Sequence, residues 1–237
     1  MDNTKKKILD GLKKFNLDHL PGRPYDNAFE LLAAPQDRKR LIMMGFNGSA
    51  ADSHMTNAGS ISHDHASPFI SNIQRGTEGH WGITHLAKRL QQIPTHLGYN
   101  WQDVIYTNAI MMCSVNASTL NKEALQFNQN SKLLIKNSMD YFENVTMDLA
   151  NPELIILHGN SLTSQSAAKL ILNNFGDRNT LIYSHQQGYY TTFGYLATFT
   201  NRKTPVVCLR HMSRFKPHEG YITSAINLVK AKLKHSL

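Results

Sequence analysis

Apolar positions along this chain follow two habits: stretches where they recur every three or four residues, and short unbroken runs closed by a polar residue. The first stretch is lysine-rich, with Ile8, Leu12, Phe15 and Leu17 on roughly one face of a helix that ends before the turn-forming Leu20-Pro21-Gly22-Arg23-Pro24. A second short helix is expected over residues 27–34. Lys39 to Phe46 then carries a short continuous apolar run, Leu41 to Met44, stopped by Gly45 and the polar Asn47-Gly48-Ser49, as for a buried strand opening into a loop. The loop runs to about Gly79, rich in Ser, Asn, Asp, His and Gly, with one apolar island at Pro68-Phe69-Ile70. A connection of that length inside a compact domain is usually functional.

Helical spacing resumes over 81–97, and residues 103–109 read as a second strand whose end carries Asn108. Residues 123–150 are predicted as one long helix with Leu125, Leu133, Leu134, Met139, Phe142 and Val145 on its apolar side, stopped by Asn151-Pro152. A third strand follows over 153–159, then a helix over 161–176 with a Ser or Thr cap and Gly176 at its end. Residues 180–200, rich in Tyr and Phe, read as irregular β structure. The last buried strand spans 205–209 and leads into Arg210-His211-Met212-Ser213-Arg214-Phe215, and an amphipathic helix over 219–234 closes the chain.

Four buried strands separated by helices imply a single α/β domain over 1–237, a three-layer α/β/α arrangement with a central, mostly parallel four-stranded sheet and an N-terminal helical extension at about 1–36. Ligands of such sheets bind beyond the carboxyl ends of the strands. Asn47, Asn108, Gly159 and His211 are expected at those ends and therefore to converge. No internal repeat or low-complexity linker interrupts the domain.

Composition narrows the class. At 41% hydrophobic and 18% charged residues the chain has the make-up of a folded globular protein. Its 25 Lys plus Arg against 17 Asp plus Glu give a formal +8, which favours a polyanionic partner. The lysines of the first helix themselves read as a solvated face. Cys113 and Cys208 lie far apart beside apolar runs, as reduced core thiols do, so no disulfide framework is expected. The amino terminus is charged and amphipathic without an apolar signal region, and no run of about 18 apolar residues occurs; a cytoplasmic protein outside the membrane is expected.

The order of these pieces resembles the uracil-DNA glycosylase superfamily from about Lys39 to Tyr221: a strand ending in Gly-x-Asn, a strand ending in Asn, a Pro-led apolar strand ending in Gly, and a last strand leading into His-x-Ser. Gly45-Phe46-Asn47-Gly48-Ser49 resembles the water-activating motif, closest to the mismatch-specific uracil and thymine branch, and the resemblance implies that Asn47 holds the attacking water. Gly48 replaces the usual Pro there. Ser49 stands where classical members carry a Tyr that walls off the pyrimidine C5 position, and so implies an open pocket. Asn108 takes the place of the base-reading Asn, whose amide both donates and accepts and therefore suits uracil or, turned over, a cytosine-like edge.

His211-Met212-Ser213-Arg214-Phe215 resembles the family's His-Pro-Ser-Pro-Leu motif. By that resemblance His211 is the catalytic histidine donating to the base O2, where negative charge gathers as the glycosidic bond breaks. Phe215 is the apolar wedge entering the duplex as the nucleotide flips, and Ser213 with Arg210, Arg214 and Lys216 holds the flanking DNA. Phe69, and after it Phe46, are the candidates for stacking on the flipped base. The superfamily's iron–sulfur branch needs four Cys where this chain has two, so no cofactor is expected.

These readings imply a monofunctional DNA glycosylase, monomeric, with DNA as partner; no lysine occupies a motif position for a Schiff-base lyase. The base is uracil or a 5-modified cytosine, such as the hydroxymethylated or glucosylated cytosine of some phage genomes. The pathway is correspondingly repair or antiviral defence. Two alternatives remain open. One is a non-catalytic DNA- or nucleotide-binding module on the same fold. The other is a metal-dependent hydrolase using His54, His63 and His65 with Asp52 and Asp64, since His-x-His beside carboxylates suits zinc. Asp52 is also an alternative to Asn47 as the water-orienting group.

Overall fold

The computed structural model describes residues 3–22, 39–49, 55–62, 85–100, 103–187, 190–213 and 219–234. Strands β1 (Leu41–Ser49), β2 (Val104–Ser114), β3 (Leu154–His158), β4 (Ile182–Gln187), β5 (Tyr190–Phe199) and β6 (Arg202–Leu209) form one sheet in the order β2-β1-β3-β6-β5-β4. The pairs β1–β2, β1–β3 and β3–β6 are parallel. These are the four expected buried strands. The sheet nevertheless has six strands rather than four, because β5 and β4 extend it antiparallel from β6.

The extra hairpin occupies the segment expected as irregular β structure. Residues Thr192 to Ala197 of β5 are buried in succession, without the alternation that marks a half-exposed strand. The cause is packing on both sides. Phe193, Tyr195 and Ala197 join one core cluster and Leu196 the other. At Gly194 an added Cβ would lie 2.3 Å from Val229 of the C-terminal helix, so that helix packs directly on the strand backbone.

Helices cover both faces. On one side lie α1 (Asn3–Lys14), α2 (Asn57–Ser62), α4 (Leu120–Leu125), α5 (Ser131–Tyr141) and α6 (Ala167–Phe175), with Ile8, Leu12, Leu134 and Ile171 against Ile42, Met44, Ile155 and Leu157 of the sheet. The other side carries α3 (His85–His96) and α7 (Glu219–Lys234), with Leu90, Ile93, Ile226 and Leu233 against Leu41, Met43, Leu154 and Val207. Helix α1 is thus part of the main core, its Ile8 and Leu12 fully buried, and not an appendage. The short helix expected over 27–34 lies outside the described residues.

The long helix expected over 123–150 is divided. Asn128 takes a left-handed backbone (φ 56°) after α4, and Asn130 restarts the helix by accepting a hydrogen bond on its side chain from Leu133 N. After α5 the chain runs through a π-helical turn, Phe142–Thr146, into a last helical turn, Met147–Ala150, and stops at left-handed Asn151. Among the described residues no helix is long and apolar enough to cross a membrane.

The amino ends of the parallel strands are tied by a polar cluster. Tyr99 donates to Glu153 Oε1 at 2.8 Å, Arg40 donates to the same oxygen at 3.0 Å, and Lys230 of α7 donates to Tyr99 Oη at 3.2 Å. The carboxyl ends, at the opposite rim, carry the candidate chemistry.

Candidate functional site

Side chains alternate between faces along a strand, and the two core clusters show which residues face which way. Leu41 and Met43 of β1, Val104 and Tyr106 of β2, Leu154 and Ile156 of β3, and Val207 and Leu209 of β6 all belong to the cluster under α3 and α7. Continuing the first three series by two residues gives Gly45, Asn108 and His158, so three strands deliver one amide, one glycine and one imidazole to the same face in the sheet order Asn108, Gly45, His158. His211 follows two residues beyond the end of β6, whose Leu209 is level with His158.

Contacts bear out the placement. Gly45 pairs with Asn108 across β1 and β2. A Cβ built on Gly45 would lie 2.7 Å from Asn108 Oδ1, 2.7 Å from His158 Cε1 and 2.9 Å from His158 Nε2. The glycine leaves the space into which the amide and the imidazole edge converge. The His158 and His211 rings meet edge to face, with centroids 5.5 Å apart and planes at 64°. Between them Gly159 turns the chain at φ +123°, a conformation costly for a side chain, and its missing Cβ would sit 4.0 Å from His211 Cδ2.

The two histidines differ in environment. His158 is buried, with 8% of its surface exposed. Burial, and after it the charge of a protonated His211, lowers its pKa to about 3, so the ring is neutral. Its Nδ1 is enclosed and has no hydrogen-bond partner. His211 is exposed, and its Nδ1 lies 2.8 Å from Ser213 Oγ and accepts from the Ser213 backbone N–H at 3.3 Å. With Nδ1 acting as acceptor, the neutral ring carries its proton on Nε2 and donates from there. Ser213, expected as a DNA contact, thus sets the histidine tautomer. Arg89 of α3 braces the same turn by donating to the Met212 carbonyl.

Asn47 lies two residues beyond Gly45. Its Nδ2 donates to Gly48 O at 3.0 Å and to Ser114 Oγ at 2.6 Å, and Ser114 in turn donates to Asn116 O at 3.0 Å. Both amide hydrogens are thereby committed, and Oδ1 is the group with which this side chain meets a ligand or water.

Several expected positions shift. Strand β1 continues through Ser49, so Asn47, Gly48 and Ser49 are strand residues with a register irregularity after Asn47 and not the start of a loop. Asn108 lies inside β2, which runs on to Ser114. Phe46, a stacking candidate, points to the opposite face from Asn108 and His158 and packs against the core cluster under α1, α5 and α6. Its even place in the alternation puts it there, so it is not brought to the site. Arg210 is partly buried at the first position after β6. Phe69, Arg214, Phe215, Lys216 and the Ser49 side chain lie outside the described residues, as do Asp52, His54, His63, Asp64 and His65. Among the described residues no group of three or more His, Cys, Asp or Glu side chains could hold a metal ion.

His158, Ser114 and Arg89 were missed in the sequence. For His158 a signal exists in the sequence: it is the polar residue closing the apolar run Leu154–Leu157. Arg89 is one basic residue among several on an amphipathic helix and carries no such mark. Comparison of the chain with family models, with curated proteins and with solved structures gives no match.

Proposed function

We propose that this protein is a monofunctional DNA glycosylase that hydrolyses the N-glycosidic bond of a flipped-out pyrimidine, uracil or a 5-modified cytosine. The observation that carries the reading is the meeting of Asn108, Gly45, His158 and His211 on one side of the sheet, level with the carboxyl ends of β3 and β6, with the His211 proton directed to Nε2 by Ser213.

In this reading the base enters over Gly45 and Asn108 reads its hydrogen-bonding edge. The bond from C1′ to the base breaks with its electron pair passing to the base, and the His211 Nε2–H stabilises the charge that collects on O2. Water adds at C1′, positioned by Asn47 Oδ1, whose orientation is set by the donations from Nδ2 to Gly48 and Ser114. Phe215 and Arg214 hold the opened duplex, and the formal +8 of the chain suits the phosphate backbone. On the same reading Ser49, in place of the Tyr of classical members, is the residue that admits a substituent at C5.

The test is release of free base. Duplexes carrying uracil, a thymine mispair, 5-hydroxymethylcytosine or glucosylated cytosine are incubated with the protein in the presence of a chelator and assayed for alkali-labile sites. At least one should be cleaved, and His211→Ala and Asn47→Ala should each lower the rate by about 10²–10³-fold while leaving DNA binding largely intact. Wild-type rates in both variants, or no site in any duplex, would remove the assignment.

A further inference from the structure

We infer that His158 is a second hydrogen-bond donor to the departing base, sharing with His211 the oxygen on which negative charge gathers. This inference rests on the glycosylase reading above and adds a residue to it.

Place is the first argument. His158 is level with Gly45 and Asn108 in the sheet, and on its other side its ring meets that of His211, which follows β6. Neighbouring strands lie about 4.8 Å apart, so a base whose edge is read at Asn108 and whose oxygen reaches His211 passes over His158. The His158 ring presents its Cε1–Nε2 edge to the space over Gly45, 2.7 and 2.9 Å from the point a Cβ would occupy. No side chain on Gly45 stands between that edge and an entering base.

The proton is the second argument. A neutral imidazole has one N–H and one bare nitrogen. Nδ1 of His158 is enclosed without a partner, and a buried N–H left unpaired is rarer in folded proteins than an under-satisfied acceptor. The bare nitrogen therefore belongs at Nδ1 and the proton at Nε2, at the edge that faces the site. Burial holds the ring neutral, so it donates a hydrogen bond without surrendering a proton.

The chemistry balances without either histidine changing protonation state. The C1′–N bond breaks, its pair resides on the base and is spread onto O2, and the two Nε2–H groups point at that charge. Water forms the new C1′–O bond and gives its proton to solvent, and the base anion takes one from solvent. Two fixed donors in a site of low dielectric do more for such an anion than water does. Both 2-oxo pyrimidine classes, uracil-like and cytosine-like, offer this oxygen, so His158 serves catalysis rather than the choice between them.

The experiment compares wild type with His158→Phe, which keeps an aromatic ring but has no donor, and His158→Gln, which can donate. Duplexes carry uracil, 5-fluorouracil, 5-hydroxymethylcytosine or glucosylated cytosine, and ¹⁵N NMR of the wild-type imidazoles reads the tautomer directly. His158→Phe should slow uracil release by about 10²-fold, with a smaller loss for the more acidic 5-fluorouracil, which bears charge with less help, and with partial recovery in His158→Gln. A packing role would slow all bases alike. An Nδ1–H tautomer at neutral pH, or the same loss for every base, overturns the role of His158 and leaves the glycosylase reading standing. Absence of release by wild type from every duplex overturns both. Should His158→Phe fail to fold, the His158→Gln rates and the tautomer decide.

Discussion

His158 ties the stability of the fold to acid. Its pKa of about 3 in the folded protein lies well below the ordinary histidine value of about 6.5. Between those values the unfolded chain binds a proton that the native protein does not, so this residue makes stability rise with pH across that window. Its contribution is fully present above about pH 6.5 and is lost as pH falls toward 3, at up to about 1.4 kcal/mol per pH unit. Urea denaturation at pH 7 and pH 4.5 should show a larger loss in wild type than in His158→Phe, which has nothing to protonate. Equal losses would mean that the ring is solvated in the folded state. Gly45 makes a second prediction at this scale. Gly45→Ala places a methyl within 3 Å of Asn108 and His158, and both contacts are with side-chain ends that can move aside. The fold should survive at a cost of about 1–3 kcal/mol, whereas base release should fall at least tenfold; circular dichroism and the release assay separate the two. That Asn108 and His211 come to one side of the sheet was legible from their places in or just after apolar strands, although β2 runs on past Asn108 to Ser114. Phe46 misled because adjacency to Asn47 says nothing about face, and on a strand the neighbour always points the other way.

At the scale of elements, most boundaries followed from local chemistry and a few from packing that no local pattern reveals. Helix α6 is the clearest case. Ser166 accepts on Oγ from Lys169 N at 3.1 Å and donates to Ser161 O at 2.5 Å, capping the helix and folding the loop after β3 back toward Gly159. Ser166→Ala should cost about 1 kcal/mol of stability, read by denaturant titration, and Ser166→Asp should recover part of it. A neutral alanine variant would mean that the loop is held by other contacts. The end at Gly176 matches the sequence expectation, whereas the helix begins at Ala167 and not at 161, because Ser166 rather than an earlier Ser or Thr supplies the cap. Where packing decides, the sequence is silent. The break at Asn128 looked like one more polar residue in a helical pattern, and β5 lost its alternation because α6 and α7 bury it from both sides. Hence two helices stand where the pattern predicts one, and a regular antiparallel hairpin where it predicts irregular β structure.

For the whole molecule the sheet divides the charge into two neighbourhoods. Helix α1, with exposed Lys6 and Lys13, packs on the face opposite the histidines, while the turn that leads to Arg214 leaves β6 on the face of α3 and α7. Under the proposed function a net +8 would draw the protein to DNA from a distance, but only cations that touch phosphates would release counterions and steepen the salt dependence. Binding to a duplex should therefore weaken steeply between about 50 and 200 mM salt. Arg214→Ala should reduce the slope of log K against log salt by about one. Lys6→Ala removes the same charge from the far face and should lower affinity slightly with the slope unchanged. Fluorescence-anisotropy titrations at several salt concentrations measure all three proteins. Equal slopes for wild type and Arg214→Ala would take Arg214 out of the interface. A slope change confined to Lys6→Ala would move the DNA to the α1 face, away from His211, and with it the case for base excision at the carboxyl ends of the strands.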